Sequence, residues 1–244
     1  MGLPTIAVPE YELTIPSTEK KAKYRPFLVK EEKVLLIALE SENQTNIINA
    51  IRTIISNCLY GDVNVDEMPT FDLEYIFLQL RAKSKGEVID LKYECPKCKT
   101  ELDININTED VQVIKTPEHT NTIELDTDLG VVMKYPTIEM QQMIQDIQED
   151  KKSEVEGIFT MVTKCIDYIY DKDNTYPLKD HTEKEINDFI DSLTDVHFQK
   201  ISKFFDTMPV LKHEFKLNCT KKKKDKTCSY KETITLSGLQ SFFA

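Results

Sequence analysis

The chain has 244 residues, 40% hydrophobic and 30% charged, with six glycines and no tryptophan. That balance fits one large globular domain, or a core with an inserted lobe, and excludes a disordered chain. A net charge of −11 argues against electrostatic wrapping of nucleic acid, and no stretch approaches the ~18 consecutive apolar residues of a membrane span.

The opening MGLPTIAVPEYEL has neither a basic start nor an apolar run, so no signal peptide is expected. Met1-Gly2 would suit myristoylation, but Ile stands at position 6 where Ser or Thr is required. Next, YELTIP and KYRPFLV alternate apolar and polar residues on either side of PSTEKKA, which predicts a hairpin. Pro26 puts its second strand at an edge or a bulge.

At EEKVLLIALES (31–41) the pattern turns helical, with two acids at its start. Ser41 and Gln44 predict a capping box for a second helix. That helix carries one apolar stripe: Ile47, Ile48, Ile51, Ile54, Ile55, Cys58 and Leu59. GDVNVDEMPT reads as a loop and FDLEYIFLQLRAKS (71–84) as a third, strongly apolar helix.

From Gly86 the period falls to two. EVIDLKYEC and KTELDININ predict a hairpin with Cys95 and Cys98 at its tip, and TIELDT and GVVMKY a further strand pair. Helices are predicted again over TIEMQQMIQDIQED, SEVEGIFTMVTKCIDYIYD, HTEKEINDFIDSL and TDVHFQKISKFFDTM. Thr182 with Glu185 forms a second capping box, and Pro209 ends the helical block. HEFKLNC and CSYKETITLSG close the pattern as two strands around a lysine-rich turn. The order β, α, β, α, β predicts an α+β fold. The expected division is an N-terminal hairpin and helical lobe (1–86), a discontinuous zinc-ribbon-like β region (87–136 and 208–244), and an inserted helical block (137–207).

Cys95, Cys98, Cys219 and Cys228 therefore fall at the tips of two hairpins. Without a secretory signal, paired cysteines point to a reducing compartment and to metal rather than disulfides. Four thiolates satisfy a tetrahedral Zn²⁺ and leave no open position, so the expected cofactor is a structural zinc ion. A redox dithiol is the competing chemistry, but it normally puts CxxC at a helix N-terminus, and here a strand follows. Four uncoordinated thiols are the third possibility. Cys58 and Cys165, on apolar helix stripes, read as buried core cysteines.

Catalytic patterns are missing. His119, His181, His197 and His213 form no HExxH, and there is no phosphate loop, GxSxG or Walker lysine. Acid pairs such as Asp72/Glu74 and Glu183/Glu185 read as helix-start and surface charge. An enzyme is not expected. Lys221–Lys224 form a basic tip that would touch nucleic acid in a zinc-ribbon binding module, the alternative function. The acidic chain and the absence of interleaved aromatics favour a solvated tip or an acidic protein partner.

The blocks YELTIPSTEKKAKYRPFLVKEEKVLLIALES and DVNVDEMPTFDLEYIFLQLRAKSKGE, followed by the cysteine pair, resemble the baseplate hub subunit family of T4-type contractile-tailed bacteriophages. The likeness is close over residues 11–107. It implies a non-enzymatic structural or assembly protein, chaperone-like, partnered by other hub and tail proteins. Its expected location is the virion's tail baseplate, the host cytoplasm during assembly, or both. No catalytic residue carries over. Candidate partner contacts are Arg25, Lys30 and Arg81, whose charges suit an acidic partner or the nearby acidic helix starts. The tail residues Leu239, Phe242 and Phe243 are further candidates, either packed on the chain's own core or anchored in a neighbour.

Overall fold

The structure is a computed structural model, and it describes residues 6–61, 63–140, 142–143, 153–223 and 226–242. In chain order, β1 (Tyr11–Thr14) and β2 (Lys21–Tyr24) precede α1 (Val29–Glu40), α2 (Gln44–Cys58) and the short β3 (Leu59–Tyr60). Then come α3 (Thr70–Lys85), β4 (Val88–Glu94), β5 (Glu101–Asn107) and β6 (Gln112–Ile114). The middle of the chain carries β7 (Thr122–Asp126), β8 (Leu129–Met133), α4 (Glu154–Cys165), β9 (Ile166–Tyr170) and β10 (Thr175–Pro177). After α5 (Glu183–Asp191) and α6 (Asp195–Thr207), the chain closes with β11 (Val210–Cys219), β12 (Lys222–Lys223), β13 (Lys226–Thr227) and β14 (Tyr230–Ser237). This is the α+β architecture that the changing period predicts.

The chain forms two compact units. One comprises Met1–Val65, Phe71–Ile114 and Val210–Ala244; the other comprises Asp66–Thr70 and Lys115–Pro209. In the first, β1, β2 and β3 form an antiparallel sheet, β4 and β5 form a two-stranded one, and β14, β11 and β6 form a third. The helix α3 is apolar on nearly every side because it is central here: Leu73, Ile76, Phe77, Leu78 and Leu80 are buried. Each such side chain contributes about 1.5–3 kcal/mol through removal from water. Leu78 joins Ile89, Leu91, Ile106, Val111 and Leu211 in one cluster, so the helix holds the base of both cysteine-bearing hairpins.

The start of α2 departs from expectation. Ser41 instead ends α1, its hydroxyl donating to Ala38 O (2.6 Å), and Asn43 caps α2 by accepting from the Asn46 N–H (3.1 Å). Only the residue whose backbone is extended at the junction can cap, and that residue is Asn43 (ψ 119°). The Thr182–Glu185 capping box does open α5.

The second unit is not a purely helical block. A four-stranded antiparallel sheet runs β10–β9–β8–β7, so the β7–β8 hairpin joins this unit and not the cysteine-bearing strands. The helix predicted to continue through Asp171 stops at Cys165, where Ile166 turns extended (ψ 128°). The strand β9 that begins there lies between β8 and β10, with Tyr168, Ile169 and Tyr170 paired on both sides. Ile, Tyr and Ile in IDYIY are strong strand formers, and sheet partners on both sides decide the matter. At Gly130 on β8, a Cβ would meet Ile123 O at 2.7 Å and the Tyr170 ring, so glycine is required for the close approach. The core gathers Leu125, Val131, Met133, Val162, Ile201 and Phe204. Most of the helix predicted from Thr137 lies outside the described residues.

Candidate metal centre

The hairpins β4–β5 and β11–β14 each follow the period-two pattern that exposes one face and buries the other. Along β11, Leu211, Leu217 and Cys219 are buried between more exposed neighbours. Cys219 pairs with Tyr230 at the far end of the β11–β14 ladder, and Cys95 and Cys98 bracket the turn after β4. That tight turn is held by two hydrogen bonds, Lys99 N–H to Cys95 O (2.8 Å) and Cys95 N–H to Thr100 O (3.0 Å). It requires Lys99 at φ +57°, in the left-handed region. On the other hairpin, the Cys228 N–H donates to Lys221 O (2.9 Å).

These turns bring all four sulfurs together. The Sγ atoms of Cys95, Cys98, Cys219 and Cys228 lie within 4.8 Å of one another, with Cys95–Cys228 at 3.9 Å and Cys98–Cys219 at 3.6 Å. Four sulfurs at about 2.3 Å from a central ion define a tetrahedron with edges of about 3.8 Å. The donor set and its spacing therefore fit one metal ion. Leu102 and Leu217 back the cluster, with Tyr93 and Phe215 edge to face (6.4 Å) beside it. Cys95 and Cys219 are wholly buried, and Cys98 is the most exposed of the four.

The protein's own groups do not ionise these thiols evenly. The Thr100 hydroxyl, 3.4 Å from Cys98 Sγ, favours the thiolate, and the Cys98 thiol is held down at about 6. At Cys219 the Lys221 N–H also favours the thiolate, but burial and the neighbouring sulfurs prevail and push it up to about 12. Burial raises Cys228 as well. Crowded thiols of this kind lose their protons together only when a cation offsets their mutual repulsion. A redox role gains nothing from the geometry, since Cys95–Cys98 lies in a strand-to-strand turn and not at a helix N-terminus. Thr100 and the left-handed Lys99 were not anticipated from the sequence; the residues just after a CxxC turn are where such support would be sought.

The remaining candidates lie elsewhere. Arg25 is buried and committed inside its own unit: it donates to Glu31 Oε1, Asn57 O and Pro26 O, each at 3.0 Å. The acidic helix start, through Glu31, is thus one of its partners. Lys30 also approaches Glu31 (3.4 Å) but stays largely exposed. Arg81 buries its Nη1 without a hydrogen-bond partner among the described residues; burial lowers its pKa, and the nearby Asp90 charge opposes that. Leu239 and Phe242 are buried, Phe242 in the cluster around Leu78, and the Leu239 N–H donates to Glu74 Oε1 (3.0 Å). The tail therefore packs on its own core at these two positions, and Phe243 lies outside the described residues. Cys58 and Cys165 are buried core thiols, both raised by burial, to about 11 and about 12. His119 bonds Thr207 and Tyr135 at 3.0 Å each, a satisfied core histidine. Of the basic tip, Lys221 is exposed and Lys224 lies outside the described residues.

These features define an α+β protein whose most distinctive site is a buried four-thiol centre clamping two hairpins. Residues 8–244 match the family described as T4 bacteriophage base plate protein, and the chain belongs to that family. It is also similar to the baseplate hub assembly protein gp26 of Enterobacteria phage T4. The two are 25% identical over 187 residues, which cover 76% of this chain and 78% of the relative. No solved structure matches the chain. Among the described residues, no helix is long and apolar enough to cross a membrane.

Proposed function

We propose that this protein acts without catalysis in building the baseplate hub of a contractile-tailed phage, through contacts with other hub and tail proteins. Its fold is braced by a structural Zn²⁺ held by Cys95, Cys98, Cys219 and Cys228. The observation that carries the functional reading is the family match, which spans residues 8–244. The likeness to a hub assembly protein, over three quarters of both chains, supports assembly as the specific role. For the ion, the sulfur spacing supports tetrahedral coordination, and four protein ligands leave no position for a reacting water. The ion would supply a cross-link between two hairpins too small to hold their shape alone.

The test is to infect cells with phage whose copy of this gene carries an affinity tag. Baseplate hub proteins should co-purify before tails are complete, and phage lacking the gene should yield no functional baseplates. Normal baseplates without the gene would overturn the reading. Mass spectrometry of purified particles then separates a resident component from a departing assembly factor.

A further inference from the structure

The helix α1 is apolar beyond what its own unit uses. One row, Glu31, Leu35 and Ala38, faces the core. The opposite row, at the helical spacing 29, 33, 36 and 40, faces solvent, with Ile37 beside it. Val29 is 79% exposed, Leu36 48% and Ile37 57%. Apolar side chains gathered on one exposed helix face, interleaved with charge, are suited to contact with another surface.

The charges within the stripe select an occupant. Lys33 stands three residues before Leu36, and Glu40 three residues after Ile37; both are exposed. A two-fold axis between Leu36 and Ile37 would lay a second α1 antiparallel on the first. Lys33 would then face the partner's Glu40, Glu40 the partner's Lys33, and Leu36 the partner's Ile37. Parallel pairing would instead set like charges together. We propose that the outward face of α1 is a self-association surface, on which a second copy of this chain docks antiparallel with two Lys33–Glu40 pairs around a Leu36–Ile37 centre. A closed two-fold contact of this kind is self-complementary by construction. Twelve residues make a helix only about 18 Å long, so the contact is small and the association belongs in the weak, reversible range. Nothing in this proposal depends on the metal or on the hub assignment.

The test is sedimentation equilibrium of the full chain from roughly 5 to 300 μM, a range that brackets weak association. The mass should climb from monomer toward dimer. Ile37→Glu should hold the chain monomeric. Lys33→Glu alone and Glu40→Lys alone should each weaken association by roughly tenfold or more. The doubly swapped chain, or an equimolar mixture of the two single variants, should associate again. All these substitutions are at exposed positions, and circular dichroism would verify that each variant is folded. A monomer at every concentration, a dimer indifferent to Ile37→Glu, or swapped charges that fail to restore association would each overturn the proposal. A monomer whose α1 face instead captures a different tail protein would overturn it too.

Discussion

Arg25 and Glu31 show how a single pair commits a surface-looking charge to the interior. Glu31 is almost fully buried and accepts from Arg25 Nη2 (3.0 Å) and from the Leu28 N–H (2.9 Å). Burial alone would raise its pKa, but these hydrogen bonds and the guanidinium charge lower it. A carboxyl whose folded pKa lies below its unfolded value adds stability above the unfolded value, about 4.3, and that stability is lost as pH falls through the folded one. Arg25→Ala should therefore destabilise the fold by about 1.5–3 kcal/mol at pH 7, because it removes a charge-assisted hydrogen bond from a buried carboxylate that keeps the Leu28 N–H and Lys30 as partners. In urea titrations, the gap between wild type and Glu31→Gln should narrow as pH drops below about 4. Asp72 lies on the opposite side of this balance. Burial raises its pKa despite hydrogen bonds from the Ser17 N–H and hydroxyl, so its effect favours the fold at lower pH.

At Lys99 the strain is in the backbone. A side chain at φ +57° costs about 1–2 kcal/mol, and glycine's extra freedom when unfolded returns part of that. Lys99→Gly should thus stabilise the protein by about 0.5–1 kcal/mol, read from the denaturant midpoint, with the thiol cluster retained.

Among the elements, the β11–β14 hairpin is held in two different ways along its length. Its base is pinned by β6, which pairs with Val210, Leu211 and Lys212, and by the Leu78 cluster around Leu211. Among the described residues, its far half is held by the small cluster of Leu217 and the cysteines, with Phe215, Tyr230 and Ile234 packed against it. Cys219→Ser should therefore remove the metal and raise amide exchange across roughly residues 215–234, while Leu211 and the sheet of β7 to β10 keep their protection. Exchange mass spectrometry on the full chain reads this directly, and uniform protection of the variant would argue that no ion braces the hairpin.

The hairpins and the cysteine pairs were legible because alternation and side-chain chemistry are local signals. The end of α4 was not, since no glycine or proline marks Cys165 and Ile166 and the strand exists by virtue of its sheet neighbours. For Arg25, Leu239 and Phe242 two alternatives stood open, the chain's own interior or a partner, and tertiary packing brings each of them inward: Arg25 to Glu31 and Asn57, Phe242 to the Leu78 cluster, Leu239 to Glu74.

For the whole molecule, the described residues divide between two units with separate hydrophobic cores. The first unit is assembled from three separated segments of chain, the last of which contributes both Cys219 and Cys228. Cys98 and Cys219 are 121 positions apart, and Cys95 and Cys228 are 133 apart. During synthesis the ribosome must therefore deliver all of Lys115–Pro209 before the second sulfur pair exists. The second unit, most of it in that one stretch, can gather its core while the first is still missing its final strands. Closing the first unit is then a late, long-range step, slowed by the entropy of joining distant points but shortened by whatever compaction the intervening unit has already achieved. Until that step, Leu78 and its neighbours on α3 lack the covering supplied by Leu211 and Phe242. The newly made chain thus passes through an interval in which its most apolar helix is uncovered, and chaperone dependence and aggregation would concentrate there.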